Sequence, residues 1–79
     1  MADHRARMRW RCRRGMKELD HLLLEFLERH LDELSPPEQS AFESLLELQD
    51  PELVGYLLGA EQPTDPVMAD VVRRIRGDA

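Results

Sequence analysis

Apolar residues recur at intervals of three and four through most of this chain. Between Met16 and Leu34 they fall at Met16, Leu19, Leu23, Phe26, Leu27, Leu31 and Leu34. That spacing predicts one amphipathic helix of about five turns, from Met16 to about Glu33. Its opposite face carries Glu18, Glu25 and Asp32, with Glu25 and Arg29 at the separation of an i,i+4 ion pair. Ser35-Pro36-Pro37-Glu38 has the form of a capping box with proline where no N–H is needed, and predicts a third helix running to Gln49. Ala41, Phe42, Leu45 and Leu46 lie on one side of it. Asp50-Pro51 then reads as an N-cap and first position, with Leu53, Val54, Leu57 and Leu58 inward and Gly59 as a left-handed stop. Asp65-Pro66 repeats the start signal before Val67, Met68, Val71, Val72 and Ile75. This last helix finishes in Arg73, Arg74 and Arg76, where cations suit the carboxyl end.

The stretch from Met1 to Arg14 departs from that rhythm, because Arg5, Arg7, Arg9, Arg11 and Arg13 alternate with Ala6, Met8, Trp10 and Cys12. A period of two argues for a strand. A lone strand needs a partner, however, and nothing downstream alternates, while Ala, Arg and Met favour helix. A short helix is therefore expected here. The fold class is all-α, a small compact bundle of about five helices in one domain spanning 1–79, near the lower size at which an apolar core holds a fold unaided. One carboxylate fits this pattern poorly. Asp20 projects into the apolar arc near Leu27 and Leu31, where an unpaired charge is costly, so it is expected to pair with an arginine of the arm.

Composition adds compartment and charge. With 42% hydrophobic and 34% charged residues the chain is too apolar for disorder and too charged for a membrane protein. No apolar run exceeds three residues, and Leu22-Leu23-Leu24 stops at Glu25, so neither membrane association nor export is expected. Cys12 has no cysteine to pair with, and no Cys/His spacing suits zinc, so the expected setting is a reducing cytoplasm with no metal site. The net charge of −5 conceals an asymmetry: residues 1–17 carry seven basic and one acidic side chain, whereas residues 18–65 carry one basic and thirteen acidic. The arm either docks onto its own acidic body or presents itself to an acidic partner.

Catalytic chemistry is absent from the pattern. Ser35, Ser40 and Ser44 are accounted for by capping or an exposed face, the glycines form no phosphate loop, and His4, His21 and His30 lack ligand spacing, so no enzyme is expected. Cys12, between Arg11 and Arg13, is a reactive thiolate if exposed, but it shares a helix face with Met8 and reads better as a packed residue. Trp10 lies on another face, where it either covers the second helix or anchors an interface. Arginines beside a tryptophan also suit nucleic acid. The thirteen acids oppose that, and a small nucleic-acid-binding or antitoxin-type regulatory module ranks below a protein-docking one.

Charge and periodicity both change at Arg13-Arg14-Gly15-Met16-Lys17-Glu18-Leu19-Asp20. Gly15 suits a positive φ that ends one helix and lets the next begin at an angle, and Glu18 falls where a carboxylate complements the helix dipole. The run from Trp10 through Arg14-Gly15-Met16-Lys17-Glu18 to Asp20 resembles the Arg-Gly-x-x-Glu signature of the succinate dehydrogenase flavinylation factor family. Asp50-Pro51-Glu52-Leu53 with Tyr56-Leu57 resembles that family's second segment, with Tyr56 where a tryptophan is expected. The resemblance implies a non-catalytic, chaperone-like assembly factor that binds the flavoprotein subunit of succinate dehydrogenase, or of fumarate reductase, and promotes covalent attachment of FAD. It implies a monomer that holds no FAD stably itself, the FAD being the partner's. By the same resemblance Arg14, Gly15 and Glu18 lie at the contact with the flavoprotein, with Trp10 and Asp20 beside them.

Overall fold

The computed structural model describes residues 3–77; Met1, Ala2, Asp78 and Ala79, and with them the outer ends of the predicted first and last segments, lie outside the described residues. Five α-helices follow one another: α1 (Asp3–Arg11), α2 (Lys17–His30), α3 (Pro36–Leu46), α4 (Asp50–Leu57) and α5 (Pro66–Arg76). The arm is thus helical. α2 ends three residues before the predicted Glu33, at His30, and Leu31–Glu33 continues as a tighter 3-10 turn that still buries Leu31. α3 stops at Leu46 rather than Gln49, because Glu47 and Leu48 donate to carbonyls three residues back and Gln49 is extended.

The predicted start signals hold with one change of residue. Ser35 Oγ accepts from the Glu38 N–H while Glu38 Oε1 accepts from the Ser35 N–H, closing the capping box of α3. Those bonds hold the Glu38 carboxyl below its usual pKa of 4.5. Asp65 Oδ2 accepts from the Met68 N–H at 2.8 Å at the start of α5. At α4 the cap is Gln49, with Asp50 already helical, and Glu52 reaches back to the Gln49 N–H.

One apolar cluster joins all five helices. Met8 enters from α1, Leu19, Leu23 and Leu27 from α2, Phe42 and Leu45 from α3, Leu53 and Leu57 from α4, and Val71, Val72 and Ile75 from α5. Each such side chain contributes about 1.5–3 kcal/mol by leaving water. Leu58 and Val67, expected inward, are exposed, since α4 is too short to carry Leu58 back under the core and Val67 sits in the first turn of α5.

Gly59 differs from expectation. Its φ is not positive; among the described residues only Gly15 and Gly77 adopt the left-handed region, and Gly77 is the stop of α5. Gly59 is small because its Cα lies against α4: a Cβ there stands 2.8 Å from the Gly55 carbonyl oxygen. Its own N–H donates to the Val54 carbonyl, and the Glu61 N–H to that of Gly55. Gly59→Ala and Gly59→Asn are both expected to lose about 1–3 kcal/mol in urea unfolding. A left-handed glycine would instead accept Asn at little cost.

Candidate docking site

The site is built where α1 gives way to α2. α1 ends at Arg11, Cys12 donates back to Met8, and the chain turns through Arg13, Arg14 and Gly15 before Lys17 opens α2. Gly15 takes φ +82°, as its place in the sequence predicts, and a Cβ built there has nothing within 4 Å. The corner is strained for other residues by backbone geometry alone, while its outer side is open.

Asp20 supplies the clasp. One turn into α2, its Oδ1 accepts from the Arg14 N–H at 2.7 Å and its Oδ2 from the Gly15 N–H at 3.2 Å. Asp20 therefore does meet the arm, but through two backbone amides and not through the expected arginine side chain. The reason is reach: a half-buried carboxylate at this position faces the turn itself, and two N–H groups leave neither of its oxygens unpaired.

The Arg14 guanidinium is directed inward, 17% exposed, to the junction of α3 and α4. Nη2 donates to the Leu46 carbonyl at the end of α3, and Nη1 stands 3.6 Å from Asp50 Oδ1 at the start of α4. Its Nε is buried without a partner among the described residues. Arg14 thus ties the turn to two further helices.

The remaining predicted residues face outward. Glu18 is exposed, and its carboxylate has no hydrogen-bond or ion-pair partner among the described residues. α2 begins without a side-chain cap on Met16, so Glu18 lies beside open first-turn N–H groups. Trp10 is 75% exposed, which decides between its two readings in favour of a surface residue. The structure therefore separates the five predicted residues into an outward set, Trp10, Gly15 and Glu18, and a holding pair, Arg14 and Asp20. Sequence reasoning missed Asp50 and Leu46 as supports, since they lie more than 30 residues from Arg14 and only the fold brings them together. It also left out exposed Arg13, Met16 and Lys17, whose position within the same run was the available signal.

The arm's charge is shared. Arg5 pairs with Asp32 at 2.7 Å and Arg9 with Glu28 at 2.7 Å, while Arg7, Arg13 and Lys17 have no ion pair among the described residues. Cys12 beneath the turn is fully buried, and burial pushes its thiol from 9.0 up to about 12 against the opposing Arg14 cation. Two surface hollows, of about 190 Å³ beside Phe26 and Arg74 and about 90 Å³ between α1 and α3, are not lined by Arg14, Gly15 or Glu18.

In this small helical bundle Arg14 and Asp20 hold in place a corner that carries an open glycine, an exposed glutamate and an exposed tryptophan. Residues 6–79 match the family described as Flavinator of succinate dehydrogenase, and the chain belongs to that family. Its relatives include proteins named FAD assembly factor SdhE. That of Shewanella oneidensis is 45% identical over 74 residues, covering 94% of this chain and 90% of the relative. Those of Photobacterium profundum and Yersinia pestis are 43% and 42% identical over 74 residues, each covering 94% of this chain and 84% of the relative.

Two outcomes follow for the site. Asp20→Ala is expected to lower stability by about 1.5–3 kcal/mol and to speed amide exchange most at Arg14 and Gly15, as read by NMR. Cys12 is expected to resist a thiol reagent at pH 8 in the folded protein and to react on unfolding; its protonated state favours the fold below pH 9, and that contribution fades as pH rises toward 12.

Proposed function

We propose that this chain is an assembly factor that binds the flavoprotein subunit of succinate dehydrogenase and promotes the covalent attachment of FAD to it. Family membership over residues 6–79 carries the reading. The outward set of Trp10, Gly15 and Glu18 supports placing the contact at the α1–α2 corner. In this reading the factor acts as a monomeric single domain in the cytoplasm, performs no catalysis of its own, and leaves FAD in the keeping of its client. The related flavoprotein of fumarate reductase is a second client of the same chemistry, and neither nucleic acid nor membrane is a partner.

The mechanism is orientational. Covalent attachment requires the flavin methyl carbon and an acceptor histidine of the client to be aligned, and fixing such a geometry removes entropy from the barrier. A rigid corner suits that task, because ordering is completed during folding and is not charged to binding. Gly15 lets the client backbone approach closely. Glu18 brings an unpaired carboxylate to meet a donor of the client in a desolvated contact.

Glu18→Gln separates this reading from a local one. Loss of a dipole-complementing charge alone would cost about 0.3–1 kcal/mol of stability and leave the client untouched. The expected result is weaker binding to the flavoprotein subunit by about 2 kcal/mol or more, measured at moderate salt. Wild-type affinity in the Gln variant would remove Glu18 from the contact. Gly15→Asn makes a companion test, since Asn tolerates the left-handed region. It is expected to keep the melting temperature near wild type while flavinylation falls. Equal losses of both would make Gly15 a purely structural glycine.

A further inference from the structure

The second segment, Asp50-Pro51-Glu52-Leu53, is absorbed by no part of the proposed contact, although it reaches the site. Asp50 is the first residue of α4, and its Oδ1 is the only carboxylate oxygen within ion-pair distance of the Arg14 guanidinium among the described residues. That guanidinium is 17% exposed, has a neutral carbonyl at Leu46 as its other acceptor, and carries a buried, unpartnered Nε. A largely buried cation with so few acceptors depends on its one counter-charge, and its backbone is the same residue whose N–H is clasped by Asp20 next to Gly15. We propose that Asp50 is a positioning residue: by holding Arg14 in the α3–α4 junction it sets the orientation of the Gly15 corner, and touches the client only through that corner.

The consequence is a division of labour between the two segments. Asp20 fixes the corner from α2, and Asp50 fixes it from α4, so the corner is referenced to helices on both sides. Removing the Asp50 charge leaves Arg14 with only the Leu46 carbonyl, and the guanidinium gains by turning out to water. The peptide between Arg14 and Gly15 then moves with it. The functional part of this inference rests on the proposed docking of the corner; the structural part does not.

The test therefore has two readouts. Amide resonances of Arg14 and Gly15 are recorded by NMR in the isolated factor for Asp50→Asn, Asp50→Glu and Glu52→Gln, and the same proteins are assayed for flavinylation of the purified flavoprotein subunit. Glu52 is the control, because it is another first-turn acid of α4 whose dipole contribution is lost without contact to Arg14. Asp50→Asn is expected to shift the Gly15 amide and to slow flavinylation at least about tenfold. Asp50→Glu is expected to restore most of both, and Glu52→Gln to leave the Gly15 amide in place. An unmoved Gly15 amide in Asp50→Asn overturns the proposal, whether activity is kept or lost; lost activity would then make Asp50 a direct contact. Shifts equal in Asp50→Asn and Glu52→Gln would also overturn it, since they report loosening of α4 alone. A wild-type factor that fails to bind the flavoprotein defeats the functional reading, and the amide shifts still decide the link from Asp50 to Gly15.

Discussion

The carboxylate of Asp20 accepts from two successive backbone N–H groups, and the geometry of the whole site depends on that clasp. The turn between α1 and α2 is short and carries a left-handed glycine; α1 carbonyls satisfy the N–H groups of Cys12 and Arg13, and Asp20 takes those of Arg14 and Gly15. Without that acceptor the Arg14 and Gly15 N–H groups would have no partner within the fold, and the turn would be held less firmly. With it, the turn becomes a rigid corner. The same residue that donates the first N–H sends its guanidinium into the α3–α4 junction, so one local bond becomes a tie between α2, α3 and α4.

The proposed contact motif therefore contains residues of opposite exposure. Arg14 and Asp20 are used inwardly, and their value lies in what they keep in place. Gly15, Glu18 and Trp10 face outward: the Gly15 Cα side is open, Trp10 is exposed, and the Glu18 carboxylate has no partner among the described residues. The arginine arm divides similarly. Arg9 pairs with Glu28 of α2 and Arg5 with Asp32 of the 3-10 turn that follows it, while Arg7, Arg13 and Lys17 have no ion pair among the described residues. Exposed pairs of this kind add little stability, about 0–1 kcal/mol each, so fastening rests mainly on buried Met8 and Cys12.

Much of the fold was legible because its signals are local. The stripe of α2, the capping box at Ser35 and the Asp65-Pro66 start are interactions within four residues, and periodicity or spacing reports them. Gly15 was legible for the same reason. What failed were inferences that needed the third dimension. Gly59 was expected to be left-handed, but it is selected by the approach of its Cα to the Gly55 carbonyl. Asp20 could be recognised as a carboxylate in need of a partner, yet the sequence offered several arginines and no way to see that two amides lay closer. Asp50 looked like a cap, and its link to Arg14 spans the whole of α2 and α3.

We propose that the corner from Gly15 to Glu18 is the face that meets the flavoprotein, held ready by Asp20 and Arg14. Hydrogen–deuterium exchange of the factor with and without the flavoprotein subunit tests it most directly. The uncapped first-turn amides of Lys17, Glu18 and Leu19 exchange rapidly in the isolated factor on this account, and are expected to slow on complex formation together with the end of α1 bearing Trp10. The outer face of α5 should be unchanged. Protection concentrated on α5, with the corner exchanging as in the isolated protein, would contradict the account.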